Sequence, residues 1–162
     1  MSGMSRIVKT MASITLPLTM IYGLYIIAHG HLTPGGGFQG GAVVASACIM
    51  ILVAYGSVWT MGKIKEKRLS AFESLGALGF VCLAFFGLIF GANYFFNNFL
   101  INQDKLPIFN AIGAGASNIN TAGVIPLMNF AVGLKVIVGL FAIVLVMAYA
   151  TTKLKEGKYN DI

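Results

Sequence analysis

Four long apolar runs, separated by shorter polar stretches, dominate the pattern of hydrophobic and polar positions. They cover residues 5–28, 38–60, 72–99 and 126–151. Each run exceeds the roughly 20 apolar residues that a helix needs to cross a bilayer. In lipid, the backbone of such a segment satisfies its hydrogen bonds locally only as a helix. The pattern therefore predicts an all-α fold, a single membrane domain over 1–162 with a bundle of four transmembrane helices and outer loops at 29–37 and 100–125.

The composition supports a membrane protein and argues against a nucleic-acid-binding one. The 162 residues are 57% hydrophobic and 10% charged, whereas soluble domains carry about a quarter charged residues. The net charge is +6, but the basic residues cluster at the ends of the apolar runs, so we expect no nucleic acid partner. The first run is too long for a signal-peptide core and lacks a small-residue cleavage site, so we expect it to remain in the mature protein.

The basic residues also predict the orientation in the membrane. Two lie near the N-terminus, four lie between residues 63 and 68, and three lie between 153 and 158. The opposite side holds Lys105. Because Lys and Arg accumulate in cytoplasmic segments, we predict a multi-pass protein of the cell membrane with both termini in the cytoplasm.

Lys135 is a charged residue deep inside an apolar run. It lies nine residues into the fourth run, about 13 Å along a helix. A charge at this depth costs about 2.5–3.5 kcal/mol and marks a functional site by default. Two interpretations stay open: a place in an ion or proton path, or a structural role as an ion pair or a lysine neutralised by desolvation. Because no partner is evident in the chain, we hypothesise that a carboxylate of another subunit faces Lys135.

Glu73 lies at the start of the third run, where two roles compete. Ser70 and Glu73 fit a capping box that opens a helix, and a carboxylate suits the positive N-terminal end of a helix. The alternative is a proton-entry site at the cytoplasmic face. In either case we expect Glu73 to lie well below Lys135, beyond direct contact.

Two histidines, two cysteines and one asparagine complete the candidate polar groups, and they predict no metal site and no cofactor. His29 and His31 have no Cys or carboxylate neighbours, which makes a poor metal site. Cys48 and Cys82 are isolated within apolar runs. His31 has two open interpretations, a hydrogen bond that fixes the loop or a place in proton traffic, because histidine titrates near neutral pH. We expect Asn129 to hydrogen-bond an adjacent helix.

The stretch between the first two runs is rich in glycine and contains Pro34. Proline fixes its own φ and biases the preceding residue, Thr33, towards an extended conformation. Gly35–Gly37 permits positive φ at little steric cost. We therefore predict a tight crossover that holds two membrane helices close together.

Residues 29–41 resemble the G-H-x-x-P-G-G-G-F-x-G-G signature of the B-type subunit of the multisubunit Mrp-type Na⁺/H⁺ antiporters. The same type of subunit occurs in the antiporter-like module of membrane-bound hydrogenases and their sulfur-reducing relatives. The residues that carry the resemblance after His31 are Pro34, Gly35, Gly36, Gly37, Phe38, Gly40 and Gly41. The resemblance implies a non-catalytic subunit without a cofactor, among lipid and other membrane subunits, that scaffolds its neighbours and can line a path for Na⁺ or H⁺. Gln39 and Lys135 favour the hydrogenase-type complex over the stand-alone antiporter.

Other functions fit parts of the pattern. A self-sufficient four-helix proton-coupled transporter that works as a homodimer needs a titratable carboxylate at mid-membrane, and no Asp or Glu lies deep in a run. The sequence hardly distinguishes a purely structural assembly factor from the antiporter subunit. An enzyme is not expected, because the chain has no nucleophile–base pairing, metal cluster or phosphate loop and no room for a soluble catalytic domain.

Overall fold

A computed structural model describes residues 4–32, 34–64, 66–89, 95–96 and 123–160, without side-chain detail at 66 and 155–160. The helices are α1 (Arg6–Ala28), α2 (Gly36–Tyr55), α3 (Ser57–Lys63), α4 (Glu66–Ile89) and α5 (Ile125–Asn160). Within these residues the fold is all-helical, and α1, α2, α4 and α5 are long and apolar enough to cross a membrane. The predicted fold class is therefore confirmed. The orientation in the membrane stays a prediction, and most of the predicted loop at 100–125 lies outside the described residues.

Within the described residues, three helix ends differ most from the apolar runs. α2 ends at Tyr55 rather than near 60, because Gly56 adopts φ 94 and interrupts the helix before the short α3. α4 begins at Glu66, six residues before the predicted start at 72. α5 continues to Asn160, beyond the predicted end at 151. Glu, Lys and Arg are good helix formers, so a helix continues where its apolar run has stopped.

The four long helices pack side by side in the order α1–α2–α5–α4. The extensive contacts join α1 with α2, α2 with α5, and α5 with α4, while α3 packs more lightly on α5. Within the 18-residue apolar window of each helix, the buried share is 44% in α2, 17% in α1 and in α4, and 22% in α5. Among the described residues the arrangement is therefore an open row of helices that leaves much of its apolar surface exposed.

Glycines bring α2 close to both of its neighbours. A Cβ atom added to Gly40 would lie 2.7 Å from the carbonyl oxygen of Gly23 in α1. One added to Gly41 would lie 3.0 Å from the carbonyl oxygen of Gly133 in α5. Because helix association in lipid depends on close packing of small residues, these two glycines set the spacing of the α1–α2–α5 part of the row.

Candidate functional site

The crossover between α1 and α2 contains two glycines with positive φ. Gly35 has φ 110 and Gly36 has φ 43, a region that residues with a side chain adopt rarely. Pro34 and Phe38 are exposed, and Thr33 lies outside the described residues. The glycines let the chain reverse at once, so that α2 begins at Gly36 rather than at 38.

Asn129 in α5 packs against this crossover. A Cβ atom added to Gly30 would lie 2.7 Å from Asn129 Nδ2, and one added to Gly36 would lie 2.9 Å from Asn129 Oδ1. Gly37 packs on the main-chain oxygen of the same residue. Asn129 Nδ2 is buried and has no hydrogen-bond partner within the described part of the chain. The residue thus holds the crossover by packing, and the expected hydrogen bond from this amide nitrogen to an adjacent helix is not formed there.

His31 lies in the crossover with both ring nitrogens buried. Neither nitrogen has a hydrogen-bond partner among the residues that the structure describes. The neighbouring His29 stacks on Tyr25, with 4.3 Å between the ring centroids. A structural hydrogen bond of His31 and a role in proton traffic therefore both stay predictions.

The charged candidates lie together between the last two long helices. We call this region the α4–α5 seam. It is formed by Glu73, Gly76 and Gly79 of α4 and by Ala131, Lys135 and Gly139 of α5. Residues of increasing number in α4 contact residues of decreasing number in α5, so the two helices are antiparallel.

Lys135 packs closely against Gly76 of α4. A Cβ atom added to Gly76 would lie 2.9 Å from the backbone nitrogen of Lys135 and 3.1 Å from its Cβ. Lys135 follows the first residue of α5 by ten positions, about 15 Å along the axis. Its side chain is exposed on the isolated chain. The lysine therefore reaches the lateral surface of the row at mid-depth.

Glu73 is closer to Lys135 than the sequence suggests. α4 already begins at Glu66, so the predicted capping box at Ser70 and Glu73 is wrong and Glu73 lies within the helix. Glu73 Oε1 lies 3.8 Å from a Cβ atom added to Gly139, which is one helical turn beyond Lys135. Glu73 therefore lies about one helical turn from Lys135 rather than well below it, whereas the two side chains are, as expected, not in direct contact and form no ion pair in the described structure.

Cavities also lie outside the crossover and the seam. One of about 420 Å³ lies among all five helices and is lined by apolar side chains except for Thr60 and Lys63. A smaller one of about 290 Å³ includes the hydroxyl residues Ser57, Thr151 and Thr152 and no charged residue. Among the described residues, no group of three His, Cys, Asp or Glu side chains is arranged to hold a metal ion. The candidate site therefore consists of the crossover with Asn129 and the α4–α5 seam.

A comparison with protein families decides the classification. The family described as a domain related to the MnhB subunit of Na⁺/H⁺ antiporter matches residues 7–151. This chain belongs to that family. The resemblance inferred from the glycine-rich loop is thereby confirmed, and the chain is a membrane protein as predicted.

Three similar proteins place this MnhB-family chain in more detail. An uncharacterized protein of Methanocaldococcus jannaschii is 43% identical over 83% of this chain, which spans 48% of that protein. The B-type subunit of the Na⁺/H⁺ antiporter of Bacillus subtilis is 26% identical, over 73% of this chain and 80% of the relative. Among solved structures, a chain of the membrane-bound sulfane sulfur reductase, an archaeal respiratory membrane complex, matches with a TM-score of 0.65 and 33% identity. That match covers 89% of this chain and 58% of the other, so the MnhB-family chain spans only about half the length of two of these proteins.

Proposed function

We propose that this chain is a non-catalytic membrane subunit of a multisubunit Na⁺/H⁺ antiporter module. The observation that carries the proposal is the family match over residues 7–151, which includes the glycine-rich crossover. The open row of helices supports a scaffolding role. A chain that buries only 17% of the apolar windows of α1 and α4 leaves those helices free to contact other subunits and lipid.

Part of the proposal concerns the ions. We place Lys135 and Glu73 in or beside a path for Na⁺ or H⁺, with His31 near its outer end. Ionisable groups at membrane depth are rare and mark such paths, and the α4–α5 seam puts a carboxylate within one helical turn of the lysine. Within the described part of the chain the ring nitrogens of His31 are buried without a partner, which leaves both of them available to a polar group of a neighbouring subunit. Pro34 and the glycines of the crossover hold the helices in place without binding ions.

Two settings for such a module differ in their energy source. The likeness to a chain of the sulfane sulfur reductase complex, at 33% identity, favours the antiporter-like module of a redox-driven respiratory complex, in which this chain itself holds no cofactor. The likeness to the antiporter protein of Bacillus subtilis supports the stand-alone antiporter. The family match does not favour a self-sufficient homodimeric transporter.

Purification in mild detergent through a tag on this chain, followed by mass spectrometry, tests the proposal. Large antiporter-like subunits without redox proteins would identify a stand-alone antiporter. Additional nickel–iron or iron–sulfur subunits would identify a redox-driven ion pump. A homodimer without other proteins would refute the subunit proposal and favour the small transporter.

A further inference from the structure

Lys135 has an unusual position for a charged side chain of a membrane protein. It lies about 15 Å along α5, a distance comparable to half of the roughly 30 Å hydrocarbon core. Its side chain is nevertheless exposed on the isolated chain. Charged residues at this depth nearly always face a protein interior or a water-filled cavity rather than lipid. Within the described part of the chain Lys135 is left exposed, so a group beyond these residues is needed to shield it from lipid.

Glu73 does not supply the missing counter-charge in this structure. Its carboxylate lies beside Gly139 and forms no ion pair with Lys135 among the described residues. Side chains on a helix tilt towards the N-terminus of that helix. Because α4 and α5 are antiparallel, Lys135 and Glu73 tilt in opposite directions along the seam. Lys135 and Glu73 are neighbours, but their side chains extend in opposite directions along the seam.

Small residues let α4 and α5 pack closely along the seam. Gly76 lies directly against the backbone and Cβ of Lys135, where a larger residue would push the two helices apart. Gly79, one turn further along α4, approaches only the Cβ of Ala131, at 3.8 Å from an added Cβ atom. Gly76 thus presents no side chain beside Lys135, and the lysine, which is exposed on the isolated chain, is accessible to a helix of another protein.

We propose that a transmembrane helix of a neighbouring subunit covers the α4–α5 seam and places an Asp or Glu carboxylate against the Lys135 ammonium. The inference rests on the proposed function, because it requires a neighbouring membrane subunit, and it specifies the chemistry of that partner. Charge complementarity selects this occupant: an apolar helix leaves the ammonium unpaired, and a buried charge is tolerated when it is paired and hydrogen-bonded.

Carbodiimide cross-linking of the intact complex tests the proposal directly. An apolar carbodiimide activates a carboxylate in the membrane, and an amine in contact with it then forms an amide with loss of the activating urea. We expect mass spectrometry to find a peptide that joins Lys135 to an Asp or Glu in a membrane segment of another subunit. A cross-link from Lys135 to Glu73 alone would overturn the proposal.

Three substitutions keep the test decisive if no cross-link forms. Lys135→Met should reduce the yield of the co-purifying neighbour at least several-fold, whereas Lys135→Arg should retain it. Ile143→Met, at an exposed apolar position of the same helix, is the matched control and should leave the yield unchanged. Equal yields from Lys135→Met and Ile143→Met, without a cross-link to another subunit, would refute the contact. If the unmodified chain brings down no antiporter subunit at all, the proposed function itself fails.

Discussion

Replacement of Gly40 by alanine tests whether glycine sets the distance between α1 and α2. A Cβ atom added there would lie 2.7 Å from the oxygen of Gly23 and 2.8 Å from the nitrogen of Ile27. Ordinary contacts begin at 3.4 Å, so these backbone atoms must retreat by about 0.6–0.7 Å, and overpacking of this kind costs roughly 1–3 kcal/mol. The nearest atom to the added Cβ is the side-chain Cγ1 of Ile27, which can move, but the other two belong to the backbone and cannot rotate away, so we expect the helix pair to separate.

The matched control for this substitution is Gly79→Ala. Alanine is favoured over glycine in a helix by about 1 kcal/mol, and this gain applies to Gly40 and Gly79 alike. A Cβ atom on Gly79 meets only the Cβ of Ala131, at 3.8 Å. The difference between the two variants therefore isolates the overpacking, and 1–2 kcal/mol corresponds to a factor of about 5–30 in the ratio of folded to unfolded protein.

The assay measures the concentration of a denaturing detergent at which the purified complex falls apart. A fluorescent protein fused to this chain reports the loss of the complex peak in size-exclusion chromatography as the detergent concentration rises. We expect Gly40→Ala to lose the peak at a clearly lower concentration than Gly79→Ala. Equal midpoints would show that the α1–α2 distance is not set by Gly40.

Three further predictions concern the seam and the crossover. Gly76→Ala should lower Na⁺-dependent dissipation of a pH gradient in inverted vesicles, because an added Cβ atom displaces the backbone of α5, whereas Gly79→Ala should not. Glu73→Gln keeps the shape but removes the charge, so we expect transport to fall several-fold while the complex stays assembled; unchanged transport would limit Glu73 to a structural role. Gly35→Ala places a side chain at φ 110, which costs roughly 1–2 kcal/mol, and should lower the yield of assembled complex. Its control is Gly62→Ala, where nothing lies within 4 Å of an added Cβ atom.

The membrane spans and the family are predictable because their signals are local. A run of more than about 20 apolar residues determines its own helix in lipid, and the loop signature lies within residues 29–41. The helix ends are not predictable from apolarity, because a polar residue such as Glu66 continues a helix as readily as an apolar one. Hydropathy marks the part of a helix that lies in lipid, not the residue at which the helix stops.

The order in which the helices pack side by side cannot be predicted from the sequence. Glycines occur on several faces of α2, and the sequence does not state which face meets which helix. Gly40 contacts α1 and the adjacent Gly41 contacts α5, a division that periodicity alone does not reveal. The last helix therefore packs between α2 and α4, although α4 precedes it in the chain.

The proximity of Glu73 to the fourth span is hidden in the sequence for a related reason. The third apolar run predicts a helix start near residue 72, and the expected height of Glu73 is counted from that end. In the structure α4 begins at Glu66 instead, so Glu73 lies further along the helix, beside Gly139. Small residues at Gly76 and Gly139 are the available sign of a close helix pair, but nothing in the sequence pairs them with each other.

The open row implies that one substitution should have opposite effects in the lone chain and in the complex. In a chain expressed without its neighbours, Lys135 faces lipid, and its replacement by leucine is favoured by about 3–4 kcal/mol on insertion scales. Lys135→Leu should therefore lengthen the half-life of the lone chain in a pulse-chase experiment. In the complex the same change leaves the neighbouring carboxylate buried without its partner, which typically destabilises by about 3–5 kcal/mol, so the complex should dissociate more easily. A substitution that stabilises both forms would mean that Lys135 meets lipid in the complex too, and one that destabilises both would mean that the lysine is already paired within its own chain.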